Sequence, residues 1–549
     1  MVPDPSCCYD RMVYKPKRRA QLLVASFSML AIGLLLAIPF TIAQSAPTVN
    51  LGFAQYQGSV DTATNITSFL GIRYAAAPIG NLRFRAPQPP ANTTGVQLAT
   101  VQPNVCMQAS DGTSPTNPLE SRAPAVVASE DCLFLNVYYP SDAVGTPPKS
   151  LPTVVWIHGG GYLSGGASSF DGEDIIRQSS RGVVIVLIQY RLGLFGFLAG
   201  SAVKNDGALN AGLLDQDFAL RFVNQHITKF GGDPSKVTIW GKSAGAGSVL
   251  QHVVANGGKT KPQLFRAAIT SSTFLPSQYE FNDSISESLF SEIVSQADCS
   301  SAADALTCLR AVDTTVLSTV NTNINANGFF GTFTTVPVID GEFITQRPTL
   351  SFLEGKVNGE ALLSVTNSFE GTEFVNQDTT LTAAEYSMAL FPKFTTAQAN
   401  IVSALYGGLG TQLFQVDAVQ GESIFICPTY YMLPAFAGRS FKGEFAVPPA
   451  LHSSDEVYYF PGGNTPPFNN TAFINAFAQS FTSFIINLDP NIKVSQTITP
   501  EWNEFVIVNT EMLFNMTPAA QPVVQRIMTD DALLQRCQFW NSVGHLTGQ

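Results

Sequence analysis

The chain is poor in charge and poorer still in histidine. Of 549 residues 13% are charged, Asp and Glu outnumber Lys and Arg by 41 to 30, and only five histidines and four tryptophans occur. A net charge of -11 leaves no basic face of the kind that nucleic acid or an anionic membrane surface requires, so the acidity speaks for solubility. No two histidines are close in sequence, and we expect no metal site and no cofactor. The glycine run "HGGGY" lacks the Lys-Ser/Thr ending of a nucleotide-binding loop. No internal repeat and no clean domain boundary is visible beyond the N-terminal segment.

Charge is missing altogether between Arg19 and Asp61. Within that gap Leu22 to Ala43 is mostly apolar and follows the basic cluster Lys15, Lys17, Arg18 and Arg19. Cleavable signals carry about 7 to 15 apolar residues, whereas a spanning helix needs roughly 20. Length favours an anchor, while Pro39 and the small-residue steps near Ala43 and Ala46 suit cleavage. Both readings stand: residues 1–46 form a cytosolic tail with a signal peptide or signal-anchor, and residues 47–549 form one domain on the lumenal or outer side. Cys7 and Cys8 precede the apolar run and read as ordinary thiols, with acylation the alternative. Six cysteines follow it, enough for fifteen pairings in an oxidising compartment. Sequons at Asn65, Asn92, Asn282, Asn469 and Asn515 fit export too.

What is present is a series of unbroken apolar, β-rich runs. They cover Cys132 to Tyr139, Pro152 to Ile157, Gly182 to Gln189, Val237 to Trp240, Ala267 to Ile269 and Ala361 to Val365. Runs without alternation suit strands buried on both faces. Helical stretches fall between several of them, most clearly Leu214 to Thr228 and Gly245 to Asn256. The expected class is therefore α/β, with a large, mostly parallel sheet flanked by helices. "NTNINANGFFGTFTT" and "FPGGNTPPFNN" read as surface loops.

In such a sheet, sites form beyond the carboxyl ends of the strands. Ser243 in "KVTIWGKSAGAG" sits at a strand-to-helix turn, where Gly241 and Gly245 leave room for a strained elbow presenting its hydroxyl. In this architecture the order is serine, acid, histidine, so only His452 and His545 are late enough to serve as base. His545 lies four residues from the C-terminus, where chains fray, which favours His452. A histidine that merely bonds Asp455 is the bland alternative for His452. Glu370, after the apolar run in "GEALLSVTNSFEGTEF", is the expected acid, with Glu373 its close competitor. Oxyanion donors are assigned to Gly160 and Gly161, after the strand in "VVWIHGGGY", and to the amide of Ala244.

Taken together, "SEDCLFLNV", "WIHGGGY", "YRLGLFGFL", "FGGDPSKVTIWGKSAGAGSV" and "FEGTEF" resemble the type-B carboxylesterase/lipase family, the cholinesterase-like branch of the α/β-hydrolases. "GAGSVLQHVV" and "SSTFLPSQY" are similar to fungal secreted members. The resemblance runs from about residue 48 to the C-terminus. It implies an α/β-hydrolase fold, a triad of Ser243, Glu370 and His452, and cofactor-free hydrolysis of apolar or lipid-like esters. It also implies disulfides Cys106–Cys132 and Cys299–Cys308, which by elimination leaves Cys427 with Cys537. The loop Met107 to Asp131 has no tryptophan, which disfavours choline-type recognition. A non-catalytic adhesion or binding ectodomain of the same fold is the competing reading.

One residue departs from that family's pattern. Members usually carry Glu before the nucleophile, and here Lys242 stands there. A cation roughly 7 Å from the imidazole acts at about 2 kcal/mol at an effective dielectric near 20, opposing imidazolium formation. The lysine should therefore slow the chemistry unless a carboxylate neutralises it, a side chain turned into a satisfied ion pair being the alternative; Lys242→Glu is expected to keep or raise activity.

Overall fold

Alternating side chains of one strand, Leu151–Ile157, divide between two apolar layers. Val155 and Ile157 pack with Ile239 and Leu250 on one face, while Val154 and Trp156 pack with Trp240 and Phe481 on the other. That division is why the strand shows no polar alternation. The computed structural model describes residues 46–114, 128–505 and 509–549, and those from 46 on cluster as one compact unit.

Among the described residues fourteen strands run in chain order: β1 (Thr48–Asn50), β2 (Gln55–Gln57), β3 (Ser59–Asp61), β4 (Ile66–Arg73), β5 (Val96–Leu98), β6 (Phe134–Pro140), β7 (Leu151–Ile157), β8 (Val184–Ile188), β9 (Gly232–Lys242), β10 (Ala267–Ser271), β11 (Ala361–Asn367), β12 (Ser440–Phe445), β13 (Thr510–Met516) and β14 (Pro522–Met528). Strands β1, β2 and β5 make a small separate sheet. The other eleven form one sheet in the order β14-β13-β12-β11-β10-β9-β7-β8-β6-β4-β3. Pairing is parallel from β8 through β7 and β9 to β13 and antiparallel at both margins. Helices flank it, including Ala211–His226 and Ala244–Val254, close to the stretches the apolar pattern suggests.

The apolar-run reading missed β12 and β13. In "SFKGEF" Lys442 is fully buried, its Nζ 2.8 Å from Glu511 Oε2 on the adjacent strand. An internal ion pair satisfies both charges, yet each looks like a surface residue when read alone. The "NTNINANGFFGTFTT" segment also departs from expectation, because its first residues belong to the helix Thr314–Ala326. Asn321 and Asn325 are buried there. The Asn325 side chain donates to Asn321 O at 2.8 Å and accepts from Thr334 Oγ1 at 2.6 Å, so the polar composition conceals a satisfied interior.

Among the described residues three disulfides join Cys106 to Cys132, Cys299 to Cys308 and Cys427 to Cys537. Asn92, Asn282 and Asn469 are exposed, and Asn65 and Asn515 are half-buried. Among the described residues no helix is long and apolar enough to cross a membrane. The apolar segment Leu22 to Ala43 lies outside the described residues, as does part of the loop Met107 to Asp131.

Candidate active site

Strand β9 ends at Lys242 and the helix Ala244–Val254 begins two residues later, so Ser243 carries the whole reversal. Its φ of 57° and ψ of −128° are strained for a non-glycine residue. The turn closes only because its neighbours lack side chains. A Cβ at Gly241 would lie 2.2 Å from the carbonyl carbon of Gly245, and one at Gly245 would lie 2.0 Å from Ile157 O. The Ser243 amide donates to Ser271 O at 3.0 Å, holding the elbow to the end of β10. Ser243 lines a cavity of about 230 Å³ together with Gly160, Gly161, Lys242, Phe333, Phe374 and His452.

The carboxylate and imidazole meet at the same rim from separate elements. Glu370 follows β11, and an isolated parallel bridge between Phe369 and Leu451 brings the histidine loop alongside. His452 Nδ1 lies 2.6 Å from Glu370 Oε2. With the carboxylate accepting there, the neutral ring carries its proton on Nδ1 and leaves Nε2 as the basic nitrogen. Nε2 is buried and has no hydrogen-bond partner among the described residues. Glu370 Oε1 accepts from the Asn367 amide at 2.6 Å and from Asn367 Nδ2 at 3.3 Å. Burial pushes the Glu370 carboxyl up, but the charge and hydrogen bond of His452 and the Asn367 amide outweigh it and hold it below the usual glutamate value. Phe374 and Phe425 flank the ring at 5.0 and 4.6 Å. The competitors make no such bond: Glu373, on the short turn Thr372–Phe374, is exposed and only near enough to feel the His452 and Lys242 charges, and His545 is exposed on the helix Gly544–Thr547.

Past the end of β7, Gly160 and Gly161 adopt φ of 102° and 62°. The amides of Leu163 and Ser164 both donate to Gly160 O, turning that carbonyl into its own loop. Ala244 is the first residue of its helix, so its N–H has no intrahelical acceptor. A Cβ on Gly161 would lie 1.9 Å from the Phe333 ring, which packs directly over this glycine.

Two residues of the site escaped the reading by motif. Asn367 Nδ2 also lies 3.1 Å from Ser272 Oγ and 3.0 Å from Asp455 Oδ1. Asp455 Oδ2 accepts from Tyr459 at 3.2 Å, so this aspartate serves Asn367 and Tyr459, while His452 takes Glu370. Burial pushes the Asp455 carboxyl up to about 6, against the Asn367 bond and with help from the nearby Glu370 charge. No spacing rule points to Asn367. Asp455 is visible only as a carboxylate close to His452 in sequence. The charge expected from Lys242 is neutralised: its Nζ donates to Ser453 Oγ at 2.7 Å and lies 2.9 Å from Glu456 Oε2. Among the described residues no cluster of His, Cys, Asp and Glu suits a metal ion.

Residues 45–540 match the model of the carboxylesterase family. The chain belongs to that family. Among relatives of this carboxylesterase, Lipase 2 of Diutina rugosa is 31% identical over 507 residues, spanning 83% of this chain and 90% of that protein. Secreted lipase 1 of Botryotinia fuckeliana is 32% identical over 392 residues, covering 67% of each. The crystal structure of Aspergillus niger EstA superimposes with a TM-score of 0.80 at 31% identity, covering 92% of this chain and 99% of EstA. The fold is that of the α/β-hydrolases, and family membership makes the chain a carboxylic ester hydrolase.

Proposed function

We propose that this carboxylesterase works through an acyl-enzyme on Ser243, with His452 as general base and acid and Glu370 as the carboxylate that orients it. The Ser243 hydroxyl adds to the ester carbonyl carbon as its proton passes to His452 Nε2. The imidazolium then protonates the departing alkoxide, and water deacylates the serine by the same route in reverse. Glu370 keeps the imidazole in the tautomer this needs and stabilises the imidazolium, consistent with its 2.6 Å contact to Nδ1. Amides of Gly160, Gly161 and Ala244 receive the oxyanion. The single observation carrying this reading is the gathering of Ser243, His452 and the two glycines around one cavity.

The proposed substrates are apolar, lipid-like esters. Support comes from a second cavity of about 260 Å³, lined by apolar side chains such as Phe197, Phe274, Phe329, Leu390 and Ile424. Phe333 belongs to the walls of both cavities, so an acyl chain displacing this ring passes from a polar reaction centre into a hydrocarbon chamber. We further propose export: residues 1–46 as signal or signal-anchor and residues 47–549 as the catalytic domain. The three disulfides and the secreted relative support it.

The deciding experiment labels the purified protein with a fluorophosphonate and maps the adduct, alongside hydrolysis of p-nitrophenyl esters of increasing acyl length with and without an emulsion. The adduct is expected on Ser243 and the rates are expected to favour longer chains. Retained hydrolysis in Ser243→Ala would remove the proposal.

A further inference from the structure

The two loops that carry Ser243 and His452 are fastened differently. On the Glu370 side, backbone holds the histidine loop: Leu451 pairs with Phe369, and the Phe369 amide donates to Ala450 O at 3.0 Å. On the Ser243 side, a side chain spans the gap. Lys242 directly precedes Ser243, and its ammonium bonds Ser453, the residue directly after His452, and pairs with Glu456 one turn further on. The turn it grips is tight. Ser454 N donates to Leu451 O at 3.0 Å and Glu456 N to Ser453 O at 3.1 Å, while Ser453 has φ 72°, a left-handed conformation uncommon for serine.

From this geometry we propose that Lys242 is a positioning residue, a strap that sets the His452 imidazole against the Ser243 hydroxyl by holding Ser453 and Glu456. The proposal rests on Ser243 and His452 being the reacting pair. Lys242 touches neither the imidazole nor the reacting oxygen in any hydrogen bond of the structure; its contacts are to the flanking turn. The polarity of the pair is the point. With a cation on the elbow, the histidine loop must present an anion, and Glu456 supplies it. A carboxylate at position 242 faces Glu456 and pushes the loop away. The sequence-based expectation that Lys242→Glu keeps or raises activity is thereby reversed, because Glu456 already neutralises the lysine and would repel a glutamate in its place.

The test measures kcat, KM and the rate of fluorophosphonate labelling in Lys242→Met, Lys242→Glu, Glu456→Gln and the charge swap Lys242→Glu with Glu456→Lys, each checked by thermal melting. Lys242→Met and Glu456→Gln are expected to lower kcat and labelling together by about 10- to 100-fold, the scale of a misplaced reacting group, with KM within about twofold. Lys242→Glu should fall below Lys242→Met, and the swap should recover at least about tenfold over Lys242→Glu. A folded Lys242→Met with wild-type kcat overturns the strap, as does a swap no better than Lys242→Glu. Should Lys242→Met fail to fold, Glu456→Gln decides alone, and wild-type kcat there overturns it. Ser243→Ala separates the two levels: activity surviving in it removes the triad reading, whereas a silent Ser243→Ala beside fully active Lys242→Met and Glu456→Gln removes only the strap.

Discussion

The two walls around Ser243 are built from opposite materials. Behind the imidazole lies a buried polar cluster in which Asn367 joins Glu370, Asp455 and Ser272. Over the glycine loop stands a wall of rings, with Phe333 against Phe274 at 5.3 Å and against Phe374 at 6.0 Å, which carries it round to the imidazole. In the polar wall the Glu370 and Asp455 carboxylates each accept from Asn367, and such networks set protonation and orientation. The aromatic wall offers area and little direction, so it discriminates by size and hydrophobicity. On the proposed mechanism, rate and preference fall to separate surfaces, and substitutions should separate them.

Glu370→Gln is expected to have the largest effect, lowering kcat by about 10⁴-fold through loss of the correct tautomer. The relative rates across acyl lengths should stay as they were, and a shift in preference would blur the division between the walls. Gly161→Ala comes next, since its Cβ collides with Phe333 and displaces a proposed oxyanion donor. A loss of about 10²- to 10³-fold in kcat is expected, read in the same ester assay. Phe333→Ala should act on preference instead, raising kcat/KM for long over short acyl esters by about tenfold as the two cavities join. Equal changes for all chain lengths would show that the second chamber takes no substrate.

Asp455→Asn is the smallest perturbation and concerns stability. The folded carboxyl sits at about 6, above the unfolded aspartate value near 4. The folded chain thus holds a proton that the unfolded chain has released, so stability from this group is full below about pH 4 and is lost as pH rises through about 6. Linkage puts the change at about 2 to 3 kcal/mol. Melting of the wild type relative to Asp455→Asn should drop by a few degrees, roughly 2 to 5 °C, between pH 4 and pH 7. A pH-independent difference would mean the carboxylate is better satisfied than its burial indicates. Glu370 has the opposite sign: its lowered carboxyl stabilises above the usual glutamate value and loses that contribution as pH falls.

Legibility from sequence followed the range of the interaction. The central strands β6 to β11 announce themselves because apolar residues bury on both faces, whereas β12 carries Lys442 and β13 carries Glu511, whose mutual pairing shows only when the strands are adjacent. The Asn- and Thr-rich stretch after Asn321 misled for the same reason. Asn321 and Asn325 bury their side chains and bond within the interior, and Phe329 and Phe333 line the apolar chamber. Ser243 and the glycine turn were readable because the glycines that permit such turns stand within a few positions of them, although Ile157 and Phe333, far off in the chain, also press on those glycines. Asn367 and the partner of Lys242 were not, because nothing local marks them.

The order of residues alone determined the fold class, the strained serine turn and the glycine loop, since backbone sterics and burial patterns act over a few positions. Folding in three dimensions decided which carboxylate meets His452, which one cancels Lys242, and where a ring divides two cavities. Electrostatics and packing depend on distance through space, and these partners stand scores to hundreds of residues apart along the chain.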